Sequence, residues 1–136
     1  MTLLIYDNIF LQHDTGYGHP ENAKRLENTV KYLRSSGCWD ALRLESPRAA
    51  SLEEIKLVHP QTYIETIKQI ADTGGGWLDG DTVVSRASYD AAVQAAGAPL
   101  AAIDLIKRGR EKWFLSGTSA RTPRHSRKGN GFLPLQ

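Results

Sequence analysis

The apolar run Leu3–Tyr6 places aliphatic and aromatic side chains in succession, which predicts a short strand buried on both faces. Residues 7–21 break that pattern with Asp, Asn, Gly and Pro and read as a long ordered loop, a length usually kept for function. From Asn22 the spacing of Leu26, Val30 and Leu33 is helical, and Ser35-Ser36-Gly37 stops it. Leu42–Leu44 is a second short strand. Ser51-Leu52-Glu53-Glu54 is a capping box that opens a helix carrying Ile55 and Leu57. Pro60 opens a further helix with Tyr63, Ile64, Ile67 and Ile70 on one face, and Gly74-Gly75-Gly76 ends it.

Residues 77–85, WLDGDTVVS, read as irregular. Ser88–Lys107 is the longest helix, rich in alanine and closed by Gly109, and Lys112–Ser116 reads as a strand. Strands alternating with helices predict an α/β fold with a mostly parallel sheet. No internal repeat is visible. After Ser116 the periodicity stops, and residues 117–136 read as loop or disorder.

Composition changes this picture little. A chain of 136 residues with 40% hydrophobic and 24% charged residues is one ordinary soluble domain. The single cysteine, Cys38, excludes an internal disulfide framework, fits a reducing cytoplasm and is expected to be a small buried side chain beside Trp39. The start, MTLLIYDNIF, lacks a basic segment and meets Asp7 early, so it does not read as a signal peptide. No apolar run approaches the roughly 20 residues that span a bilayer. A soluble, cytoplasmic protein is expected.

Charge is more telling in its distribution than in its total of +2. Residues 117–136 carry four basic side chains (Arg121, Arg124, Arg127 and Lys128) and no acid. The alternative to an enzyme is a non-enzymatic binding module, or an unstable fragment, whose basic tail contacts an acidic partner. Phe132 is its one aromatic, however, and four charges make a weak nucleic-acid footprint.

The densest chemistry lies in His13-Asp14-x-Gly16-x-Gly18-His19-Pro20-Glu21-Asn22-x-x-Arg25. Gly16 and Gly18 permit tight turns, Pro20 suits the entry to a helix, and Glu21 suits its positive end. His13 and His19 with a carboxylate could in principle hold zinc. The motif offers no further ligand, and hydrogen bonding by the two rings is the preferred reading. His59 is expected to anchor the junction of two helices. Trp77, Tyr63 and the stripe Ala91, Ala92, Ala95, Ala96 and Ala102 are expected to pack.

The string HDTGYGHPENAKRL after a short strand resembles the first loop and helix of bacterial enzymes of the zinc-dependent histone deacetylase and acetylpolyamine amidohydrolase superfamily. LVHPQTYIETI, GGGWLDGDTVVS and SYDAAVQAAGAPLAAIDLI follow in that family's order, so the likeness covers about Leu3 to Ser116. It implies the N-terminal portion of a three-layer arginase/deacetylase-type fold. It also implies amide hydrolysis on acetylated lysine or acetylated polyamine, with a zinc held by two aspartates and a histidine, a pair of histidines and a tyrosine. By the same resemblance Arg25 lines an internal channel, where a permanently charged guanidinium could hold departing acetate. Asp81 is a rim residue that accepts hydrogen bonds from substrate N–H groups, with Asp79 as the competing position.

In the family a strand like KWFLS leads into a loop reading approximately Arg-Pro-Pro-Gly-His-His-Ala. Here the chain reads GTSARTPRHSRKGNGFLPLQ, with His125 alone among basic neighbours. Degenerate codons for Thr118–Arg124, read one nucleotide later, permit Arg-Pro-Pro-Gly-His-His-Ala. The codons that follow permit a run ending Glu-Lys-Ala-Met-Gly-Phe-Cys-Leu-Phe. The expectation is a frameshift near Ser116, with residues 1–116 in frame and 117–136 out of frame. The chain would then stop before the histidine pair and every zinc ligand, bind no zinc and be inactive alone. Helix faces at 60–71 and 88–107 would be left exposed to self-association.

Overall fold

A computed structural model describes residues 2–109 and the backbone of the strand 113–116; residues 117–136, where the frameshifted tail is expected, lie outside the described residues. The elements run β1 (Thr2–Ile5), a 3₁₀ turn (Asn8–Leu11), α1 (Ala23–Ser35), a second 3₁₀ turn (Trp39–Ala41) and β2 (Leu42–Glu45). Then come α2 (Leu52–Lys56), α3 (Gln61–Asp72), β3 (Gly75–Trp77), β4 (Val83–Ser85), α4 (Ser88–Lys107) and β5 (Trp113–Ser116).

β1 sits between β2 and β5 and is parallel to both, in register Leu3 with Arg43 and Leu3 with Phe114. A central strand must bury both faces, and Leu3, Leu4 and Ile5 are all buried, as their unbroken apolar run requires. Leu3 and Ile5 join Phe10, Leu26 and Val30 of α1 and Ala98 and Ala102 of α4 in one core cluster. Small residues let α4 come close to its neighbours. A Cβ on Gly97 would collide with the carbonyl oxygen of Arg48, and one residue pair away the Ala50 N–H donates to the Val93 carbonyl at 3.1 Å. Segment 48–50 therefore lies directly on the helix backbone.

The capping box on α2 is formed: Ser51 accepts from the Glu54 N–H, and Glu54 accepts from the Ser51 N–H. Its second partner is Arg48, which grips Glu54 with two nitrogens at 2.6 and 2.8 Å. His59 does lie at the α2–α3 junction, with its ring stacked on Tyr63 at 5.5 Å. Beside it α2, α3 and α4 leave an apolar cavity of about 320 Å³, lined by Ile55, Val58, Ile67, Val93 and Leu100 among others.

Three expectations need correction. Residues 77–85 are not irregular: β3 and β4 pair antiparallel around a five-residue connection closed by Leu78 N–H to the Thr82 carbonyl at 2.9 Å. Each strand is only three residues long, too short for alternation to declare it. Cys38 is exposed and not buried beside Trp39, since it stands at the entrance to the 3₁₀ turn. Trp77 is 66% exposed and packs little, since it ends a strand of a two-stranded sheet. The alanine stripe is buried at Ala91 and Ala102 and only partly at Ala92, Ala95 and Ala96. Among the described residues, no helix is long and apolar enough to cross a membrane.

Candidate functional site

The loop after β1 folds back over the β4–α4 corner and the β3–β4 turn, where His13, Asp14 and His19 make its hydrogen bonds. His13 is buried, 8% exposed, and its Nδ1 lies 2.7 Å from the Ser88 hydroxyl in the first turn of α4. That hydroxyl also accepts the Ser85 N–H at 2.7 Å and lies 2.9 Å from the Ser85 hydroxyl, which accepts the Asp14 N–H at 3.2 Å. One arrangement satisfies each link of this relay: Asp14 N–H donates to Ser85, Ser85 O–H to Ser88, and Ser88 O–H to a neutral His13. Burial, with a smaller contribution from His19, holds the His13 pKa below its ordinary 6.5.

His19 ties the loop to the hairpin. Its Nδ1 accepts the Glu21 N–H at 3.1 Å, which leaves Nε2–H to donate to the Asp81 carbonyl at 3.3 Å. Thr15 donates to the Glu21 carbonyl, and the Asn22 side chain donates to the His19 carbonyl at 2.7 Å. Gly16 and Gly18 adopt φ of 82° and 80°, the left-handed turns for which glycine suits the motif. Pro20 and Glu21 lead into Asn22, the residue that precedes α1.

Arg25 and Asp81 end in different settings. Arg25 projects from the first turn of α1 with 58% of its side chain exposed, and Nη1 donates to Glu21 at 3.1 Å. Asp79, itself exposed, accepts the Asp81 N–H at 3.2 Å, so its carboxylate holds the turn. The Asp81 side chain stands exposed at the tip, where its nearest described partner is the adjacent Thr82 hydroxyl at 3.4 Å. Of the residues singled out in sequence, His19, Glu21 and Asp81 therefore meet through hydrogen bonds, Arg25 joins them through Glu21, and His13 is buried against Ser88.

The zinc expected of the resembling family finds no home on these residues. Among those described, no three His, Cys, Asp or Glu side chains converge on a point that could hold a metal ion. His13 Nδ1 is engaged by Ser88, and both His19 nitrogens are engaged by backbone. Ser85 and Ser88 were the groups that sequence reasoning missed. The signal was Ser-x-x-Ser at the mouth of a helix, a spacing at which hydroxyls cap local backbone N–H groups.

Comparisons with known proteins identify the family and the fold. The chain matches the histone deacetylase domain over residues 19–132, which takes in the loop from His19, the hairpin and α4. It is 36% identical over 141 residues to an uncharacterised protein of Synechocystis, covering 99% of this chain and 45% of that protein. It is 34% identical over 100 residues to a histone deacetylase-like amidohydrolase of Pseudomonas aeruginosa, covering 74% of this chain and 26% of the relative. A probable deacetylase of Methanothermobacter thermautotrophicus is 36% identical over 93 residues, covering 68% of this chain and 28% of its own length. The chain thus spans less than half the length of these relatives. The crystal structure of the HDA15 HD domain superposes with a TM-score of 0.78 at 23% identity, over 90% of this chain and 35% of that one, which places the fold. With the domain match running through most of its length, the chain belongs to the histone deacetylase family.

Proposed function

We propose that this chain is the N-terminal part of a zinc-dependent amidohydrolase that removes acetyl groups from acetylated lysine or acetylated polyamine, and that the 136 residues alone do not catalyse it. The observation that carries the reading is the domain match over residues 19–132, which brings the loop, the hairpin and α4 into one family architecture. In the intact protein the exposed Asp81 carboxylate is the rim acceptor for substrate N–H groups. The turn backbone does not depend on that carboxylate, which supports the role over Asp79, whose carboxylate accepts the Asp81 N–H. Arg25 lines the channel behind the active site, and reaching that position requires the guanidinium to leave Glu21 for a wall built by the rest of the fold. In the intact protein zinc is held by residues outside this chain.

The missing histidine pair is encoded one nucleotide out of frame after Ser116. The family match continues in frame to residue 132. This is compatible with a frameshift, because the Gly131 and Phe132 codons permit Gly-Phe in either frame. The apolar cavity beside His59, with Val58 at its edge 76% exposed, supports self-association of the chain as it stands. Acetate release from an acetyl-lysine peptide tests the activity reading. The 136-residue chain is expected to release none; release that a chelator abolishes would overturn it.

A further inference from the structure

We propose that His13 is a pH-operated clasp that holds the motif loop on the β4–α4 corner while neutral and releases it when protonated. This goes beyond the family reading and does not rest on it. The geometry is that of a latch. His13 follows the first strand, Ser88 lies 75 positions on in α4, and their 2.7 Å contact is the keystone of a relay through Ser85 to the Asp14 N–H. Cutting it uncouples three segments at one point: the loop, the end of β4 and the start of α4.

Protonation acts on this point by charge. The relay could reverse, with Nδ1–H donating to Ser88 and Ser88 donating to Ser85, but the Ser85 hydroxyl hydrogen would then lose its acceptor within the relay. The imidazolium would also remain in a site 8% exposed, and a buried charge without a carboxylate partner is costly. The ionisable groups acting on His13 are His19, Asp14 and Glu21, while β4 and α4 face it with the hydroxyls of Ser85 and Ser88. His19 opposes the charge, and burial outweighs the two acids, so the net shift is downward. Relief comes when the ring swings to water and takes the loop with it. The sign follows from linkage: the closed form is fully favoured above the ordinary 6.5 and loses that advantage as pH falls from there toward the folded value.

The loop also carries His19, whose Nε2–H holds the Asp81 carbonyl, so opening at His13 loosens the hairpin tip as well. The test is an NMR titration of the full 136-residue chain that follows the imidazole resonances of His13 and His19 together with amide exchange at Asp14 and Ser85. Expected are a His13 midpoint below 6.5 and protection factors at both amides that fall by about tenfold per pH unit as one proton is taken up. His13→Gln, which cannot charge, is expected to flatten that dependence. A His13 midpoint at or above 6.5, protection that stays level through it, or loss that tracks His19 instead would overturn the proposal.

Discussion

His13 Nδ1 and Ser88 Oγ meet at 2.7 Å across 75 residues, and both side chains are buried. Removing one member leaves a buried polar group without its partner, which is more costly than losing the bond alone. Ser88→Ala strips a partner from His13 and also from the Ser85 N–H. It is expected to lower unfolding free energy by about 1–3 kcal/mol in urea melts at neutral pH. A change below a few tenths would mean the relay contributes nothing to stability.

Gly97 and Gly16 separate two reasons for glycine. A Cβ at Gly97 would lie 1.7 Å from the Arg48 carbonyl oxygen, so backbone must move, whereas nothing stands within 4 Å of a Cβ at Gly16. Gly97→Ala is expected to cost upwards of about 3 kcal/mol through overpacking. Gly16→Ala, strained only by its φ of 82°, should cost about 1–2 kcal/mol. Equal thermal shifts in the two variants would contradict the packing of segment 48–50 on α4.

Glu54 sets an acid limit on the start of α2. Hydrogen bonds from Arg48 first, and then from the Ser51 backbone, hold its carboxyl at about 2, against an ordinary 4.5. Because the folded value is the lower one, its contribution is present above pH 4.5 and disappears as pH falls toward 2. A carboxyl titration by NMR should place the Glu54 midpoint near that lower value, and Arg48→Met should return it toward 4.5. A midpoint near 4.5 in the unmodified chain would contradict the Arg48–Glu54 grip. Ser51→Ala is expected to cost about 1 kcal/mol as a lost helix cap.

Asp79 and Asp81 are predicted to behave oppositely. Asp79→Ala removes the acceptor for the Asp81 N–H and should raise amide exchange across residues 79–82. Asp81→Asn leaves the turn intact and should shift unfolding by less than about 0.5 kcal/mol, as exposed surface changes do. A larger effect at Asp81 than at Asp79 would reverse their assignment.

Much of this fold was legible because long elements announce themselves. The start and stop of α4, the capping box at Ser51 and the buried character of Leu3–Ile5 all follow from spacing, caps and apolar runs. The β3–β4 hairpin escaped because three-residue strands carry too few positions to show a period. Cys38 and Trp77 were misplaced because residue type states a preference for burial, while exposure is decided by neighbours distant in sequence. At the site, the motif named the loop's own residues. It could not name Ser85 and Ser88, which join it only through the fold.

This histone deacetylase family chain is proposed to have its catalytic continuation in another reading frame. The most direct measurement is the nucleotide sequence of the gene from the Ser116 codon onward. The frame one nucleotide later is expected to encode Arg-Pro-Pro-Gly-His-His-Ala across the codons of Thr118–Arg124, followed by an open reading frame containing two aspartates and a histidine suited to zinc. A shifted frame that encodes neither the histidine pair nor an extended open frame would contradict it.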